Sequence, residues 1–308
     1  MTGTKITFDE RAEEAAAAVL RDLLRAIEDN YAGAIDGRDP EALHDFRVAV
    51  RRSRAVQREC KKAFPNAQLA DFRSEFRWLQ RATGTARDMD VYVHGFDSLR
   101  ELVSPGSRPD LQPLLALLIE RRRRARLEME SALHSRRATS LLADWRSMLE
   151  RLQEAPGDSN PDGSQPIGEL AGARIRKLYR RMVRMGRPIR PASPPEAYHE
   201  LRKQGKELRY MLELFGLRLY PEEVVRPMIK TLKGLQDVLG RHQDRHVQAV
   251  PLRVLEADLA DHPAARRAVQ RLIASLEQEE MRARRQFAKR FEPFASPKQR
   301  KLVRKTFA

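Results

Sequence analysis

One eleven-residue pattern occurs twice in this chain. HDFRVAVRRSR (His44–Arg54) lies over HELRKQGKELR (His199–Arg209) at a displacement of 155 residues. Each copy starts with histidine and carries basic residues three, seven and ten positions on. A second pair follows at a displacement of 156: LQRATGTARDMDV (Leu79–Val91) and LQDVLGRHQDRHV (Leu235–Val247). Two independent matches at nearly one displacement predict a duplicated chain, with halves packed about a pseudo-two-fold axis. The mid-chain run PGDSNPDGSQPIG (Pro156–Gly168) has linker composition. It divides an N-terminal half, 1–155, from a C-terminal half, 169–308.

Between the repeats the chain reads as helix. Alternating runs of β-branched residues are nearly absent, and long Ala/Leu/Arg/Glu/Gln segments dominate. Breakers fall at Asn30–Pro40, Ser104–Pro113, Pro156–Gly168, Arg187–Pro195 and Asp261–Pro263. The intervening segments of roughly 15–30 residues are too long for strands. The predicted class is all-α.

At 100° per residue the first repeat forms a row. With His44 at zero, Arg47, Arg51, Arg54, Arg58 and Lys62 fall between about −80° and 0°. The row is roughly 27 Å long at 1.5 Å per residue. Phe46, Ala49, Val50, Val56, Cys60 and Phe64 lie opposite as a core stripe. Asp39-Pro40 supplies an N-cap and a first-turn proline. In the second copy His199, Arg202, Lys206 and Arg209 share a face, with Lys203 beside them. Leu201, Leu208, Met211, Leu212 and Phe215 lie opposite, and Pro194-Pro195-Glu196 opens the helix.

Aligned like charges repel at i,i+3 and i,i+4 spacing by a few tenths of a kcal/mol each. Such a face suits a polyanion whose charge repeats along a line, and guanidinium forks suit phosphate oxygens. Histidine adds a donor whose protonation a phosphate would favour. The composition agrees: Lys and Arg number 59 against 43 acids, a formal charge of +16. Second-rank candidates are Arg52, Lys62 and the recurring pairs Arg73/Arg77 and Lys230/Lys233; the run Arg121–Arg124 circles its helix, so only one or two of its residues can face a shared groove. Arg282, Arg284, Arg285, Lys289 and Arg290 add cationic density, and the tail Lys298–Lys305 reads as a solvated electrostatic arm.

Other chemistries fit less well. His44-Asp45 invites comparison with metal phosphohydrolases, but no histidine precedes residue 44 and the repeat has His199-Glu200. Asp88 and Asp90 read as a cap or ion-pair partners, because His246 stands where a second Asp90 would be. No phosphate loop, dinucleotide motif or nucleophile elbow is present, so no catalytic residue, metal or cofactor is expected. Cys60 falls on the apolar face. Nucleic acid is the serious alternative partner. Against it, no aromatic interleaves the basic row and no Asn or Gln lies on it. One cysteine and no long apolar stretch point to a reducing, cytoplasmic setting without a membrane span. Acids at the N-terminus stand where a signal peptide would be apolar.

The paired H-x-x-R-x-x-x-[RK]-x-x-R helices and the trailing Leu-Gly…Asp segments resemble the CHAD family, an α-helical domain named for its histidines. The resemblance covers essentially the whole chain, as one domain of two repeats. It implies two antiparallel helical bundles of about four or more helices each, with a basic groove between them. It also implies non-catalytic binding of inorganic polyphosphate and targeting to polyphosphate granules. Carried over, His44, Arg47, Arg51 and Arg54 would line one wall, and His199, Arg202, Lys203, Lys206 and Arg209 the other. Val48 departs from the basic residue common at that place. Glu207, where the first copy has Arg52, implies unequal halves. Many relatives carry a fused triphosphate-tunnel domain; this chain starts helical and reads as a stand-alone module.

Overall fold

The computed structural model describes residues 4–64, 66–154 and 161–308. The first half runs through α1 (Ala12–Asp29), the short α2 (Tyr31–Asp36), α3 (Pro40–Glu59), α4 (Asn66–Ala82), α5 (Gly84–His94) and the short α6 (Phe96–Arg100). It closes with α7 (Gln112–His134) and α8 (Arg136–Glu154). The second half holds α9 (Pro161–Ser164), α10 (Ile167–Gly186), α11 (Pro195–Met211), α12 (Leu217–Leu219), α13 (Glu222–Ala257), α14 (Pro263–Ala295) and α15 (Pro297–Thr306). Among the described residues there is no strand, and one isolated antiparallel bridge joins Arg11 to Pro166. Residues 156–160 of the expected linker lie outside the described residues.

The basic helices start as their sequences dictate. Asp39 accepts a hydrogen bond from the Glu41 amide at 2.8 Å, with Pro40 in the first turn. The expected apolar stripes are buried in both α3 and α11. The breaker at Asn30–Pro40 contains α2, which Gly37 ends at φ 70°; glycine enters this left-handed region without strain. Two helices outrun the expected lengths: α13 has 36 residues and α14 has 33, with Pro227, Pro251 and Pro293 inside them. They lie along each other as one long hairpin, and tertiary burial outweighs the local cost of proline.

α1 is the central helix. Ala15 to Leu20 are buried without interruption, so this stretch is apolar on every side, and the helix packs against α3, α8 and α10. The larger core draws on both halves, from Phe46 and Val50 to Leu178 and Phe215. A smaller core joins α5–α7 to the far end of the α13–α14 hairpin through Tyr92, Leu114, Leu252 and Leu272.

Equivalent segments meet one another. α1 packs on α10, and α3 packs on α11. Ahead of α1 and α10 the backbone exchanges hydrogen bonds: Ala12 N–H donates to Gln165 O at 2.9 Å and Ile167 N–H to Glu10 O at 2.8 Å. At the displacement of 155 these two bonds are the same bond made in both directions, the reciprocity of an isologous contact.

Candidate functional site

The row on α3 is braced by the second repeated motif. Arg47 Nη1 donates to Gln80 O at 2.8 Å and to Thr83 Oγ1 at 2.7 Å. Burial, with Arg51 nearby, lowers the Arg47 guanidinium to about 10. Arg87 Nη2 lies 3.1 Å from His44 Nδ1. A guanidinium cannot accept a hydrogen bond, so Arg87 donates and His44 is neutral, with its proton on Nε2. Burial first, and then the charge of Arg87, hold the His44 imidazole below its ordinary value. His44 therefore supports Arg87 in this state, in place of the protonated donor expected from sequence. Asp88, which Arg47, Arg87 and Arg51 all act on, is the carboxylate of the same cluster.

Further along α3, Arg54 is half-buried and its guanidinium is lowered by burial and by Arg58, Arg77 and Arg81. Arg77 and Arg81 are thus the α4 cations that act on the row; Arg73 stands one turn before Arg77. Lys62 is exposed in a 3-10 turn beyond α3.

The two basic helices are stitched together by acids. Arg52 donates to Glu213 at 2.8 Å and Arg58 meets Glu207 at 2.9 Å. Arg58 also contacts Glu59 at 2.9 Å. Two of the candidate cations are therefore committed to carboxylates where the halves join. The last turn of α11 widens into a π turn, Leu212–Gly216, a feature frequent at functional sites. Glu213 in that turn also lies 3.6 Å from Arg209. Arg52 and Arg209, one from each repeat, both stand 5.7 Å from the Tyr210 ring centroid.

In the second half Arg202, Lys206 and Arg209 line a cleft of about 320 Å³ with Gln236, Asp237, Gly240 and Arg241. Every lining residue comes from one of the two repeated motifs. Gln236 Nε2 is buried against Gly205 of α11, without a hydrogen-bond partner among the described residues. Asp237 also belongs to a wider trough of about 1430 Å³, where Lys230 and Lys233 are joined by Arg52, Arg226, Lys289 and Arg290. Lys203 is paired with Glu200 at 2.8 Å, and His199 is exposed near the start of α11.

Sequence reasoning missed Arg81, Arg87 and Arg241 as site residues, although all three sit inside the second motif. Other candidates are occupied elsewhere. Arg121 pairs with Asp258 at 2.6 Å, and Arg123 and Arg124 with Glu120 at 3.0 and 2.8 Å. Arg122 and Arg126 grip the fully buried Asp90 at 2.6 and 3.0 Å. Arg284 is buried against Glu280 at 2.6 Å. Cys60 lies in the core, its thiol pushed up to about 12 by burial. Among the described residues no group of three or more His, Cys, Asp and Glu side chains could hold a metal, and no helix is long and apolar enough to cross a membrane. The side chains of Asp244 and His246 lie outside the described set.

An all-α protein whose two halves present matching basic helices is the class that this geometry defines. The chain belongs to the CHAD domain family, whose model matches residues 18–253. Two relatives from Mycobacterium tuberculosis, strains CDC 1551 / Oshkosh and H37Rv, are each 28% identical over 218 residues. Both are described only as uncharacterized proteins; the match covers 66% of this chain and spans 38% of theirs. The crystal structure of the CHAD domain from the plant Ricinus communis superposes with a TM-score of 0.72 at 25% identity, covering 98% of this chain and 95% of that one. PptA from Streptomyces chartreusis shares the fold, with a TM-score of 0.67 at 16% identity over 92% of this chain and 99% of its own.

Proposed function

We propose that this protein binds inorganic polyphosphate, without catalysis, along the basic surface that α3, α11 and α13 form. The observation that carries this reading is the cleft where Arg202, Lys206, Arg209 and Arg241 converge. Arg202, Lys206 and Arg209 form a row of cations at helical spacing on α11, faced by Arg241 of α13, and a linear chain of phosphates presents acceptors at every link. The trough of Lys230, Lys233, Lys289 and Arg290 extends the same surface. On the α3 side Arg51 and Arg54 supply the contacts, while Arg47 and His44 hold the wall in shape. Membership in the CHAD family supports the ligand class. A cytoplasmic role at polyphosphate granules accompanies it.

Competition at physiological salt tests the reading. Labelled long-chain polyphosphate should stay bound when duplex DNA or single-stranded RNA is added in equal phosphate excess. Displacement by either nucleic acid would instead make this a nonspecific nucleic-acid binder. Phosphate release from polyphosphate with Mg²⁺ or Mn²⁺ would make it a phosphohydrolase.

A further inference from the structure

A second cationic groove lies away from the repeated motifs, between α10 and α15, with a volume of about 680 Å³. One wall carries Arg176, Arg180, Arg184 and Arg187, and the other Arg300, Lys301 and Arg304. Arg176, Arg180 and Arg184 of α10 and Arg187 just past its end fall within about 80° of one another and span about 16 Å. No carboxylate lines the groove. Among the described residues, none of these seven side chains makes an ion pair, and all but Arg176 are exposed.

The groove exists because the basic tail is docked. The expected solvated arm is a helix: Ser296 caps it by accepting from Gln299 N–H at 3.1 Å, and Val303 and Phe307 are buried. Phe307 packs edge-on to Tyr220 at 4.7 Å. At Gly172 a Cβ would meet the Tyr220 hydroxyl at 2.3 Å and Phe307 O at 3.1 Å, so glycine permits this close approach.

The duplication supplies an internal control. At the displacement of 155, Arg176 and Arg180 correspond to Arg21 and Arg25 of α1, but Arg184 corresponds to Asp29 and Lys177 to Asp22. In the first half those acids are present, and Arg25 pairs with Asp22. The same helix position in the fold therefore does not need an acid-free basic face. Seven cations without acids carry a repulsive cost that a bound polyanion would repay.

We infer that the α10–α15 groove is a second binding site for a linear condensed phosphate. The inference rests on the polyphosphate reading only for the identity of the anion. Tyr179, the groove's aromatic residue, is buried and donates its hydroxyl to Phe294 O at 2.6 Å, so no ring is offered to stack a base. The other apolar lining residues are Val183 and Val303, buried beneath a charged rim, and the exposed Pro297; no large apolar side chain stands out as the anchors of a membrane-surface helix do.

Calorimetric titration with tripolyphosphate, too short to bridge both grooves, is the test. Wild-type protein should show two sites. R180E/R184E/R304E should lose one site and keep the other, as should the neutral R180Q/R184Q/R304Q if charge reversal impairs folding. R202A/K206A should lose the complementary site. A wild-type stoichiometry of one, or two sites surviving both groove variants, overturns the inference. Two sites surviving R202A/K206A, with one lost in the groove variants, defeats the central-cleft reading and leaves this one standing. Loss of single-stranded RNA or anionic-vesicle binding in R180E/R184E/R304E, with tripolyphosphate stoichiometry unchanged, overturns the assignment to condensed phosphate.

Discussion

Arg58 meets Glu207 at 2.9 Å, and Glu207 stands where the first repeat has Arg52. Arg52 in turn pairs with Glu213, which stands where the first repeat has Arg58. The two bridges are one bridge made twice, with the charges sorted so that the first copy gives both cations and the second both anions. Identical halves would have set arginine against arginine at this junction.

Removing the acid should therefore trade stability for affinity. Glu207 is half-buried, and its carboxyl is raised by desolvation. Glu207→Gln should release Arg58, strengthen polyphosphate binding severalfold, and cost at most about 1 kcal/mol of folding stability, the scale of a partly exposed pair. Titration and urea denaturation measure the two effects; weaker binding would show that the bridge positions Arg58 for the ligand.

Arg47 and Arg51 occupy the same row but should respond differently. Arg47→Ala strands the acceptors at Gln80 and Thr83 and should destabilise by about 1–3 kcal/mol. Arg51→Ala removes a like charge and should leave the melting temperature unchanged or slightly higher while weakening binding. Equal melting temperatures for the two variants would contradict the bracing role.

His44 imposes a pH dependence whose sign follows from its lowered value. The folded protein resists protonation that the unfolded chain accepts near 6.5. The contribution of His44 to stability is present above that value and is lost as pH falls through it towards the folded pKa. His44→Gln keeps an acceptor for Arg87 and should flatten the urea midpoint between pH 7 and pH 5. A steeper decline in the variant than in the wild type would contradict the neutral assignment.

Binding should weaken steeply with salt. Each phosphate contact removed, as in Arg202→Ala or Lys206→Ala, should reduce the slope of log K against log salt by about 0.7. Slopes that match the wild type would place these side chains outside the contact surface.

Much of this was legible in the chain itself. Helical class, the two basic faces and their opposing core stripes follow from a 3.6-residue period that neither repeat interrupts. The second motif was visible too, yet its task was not: nothing in LQRATGTARD says that a carbonyl and a hydroxyl will receive Arg47. Repeat position ranked Arg47 and Arg51 alike, because charge pattern does not report burial. Glu207 was seen as a departure, but its partner lies across the duplication, and long-range pairing leaves no local trace. The tail's charges alone suggest a solvated arm, whereas the i,i+4 spacing of Val303 and Phe307 marks a face that packs.

The paired backbone bonds ahead of α1 and α10 bear on how the protein is made. Through Ala15–Leu20 α1 is apolar on every side, and part of its cover comes from α10 of the other half. A ribosome must therefore extrude the whole N-terminal half before the helix that shelters its centre emerges. Until residue 167 and its followers leave the exit tunnel, the nascent half has an oily flank open to chaperones, and truncation anywhere before that point should yield aggregates in place of a working half-molecule.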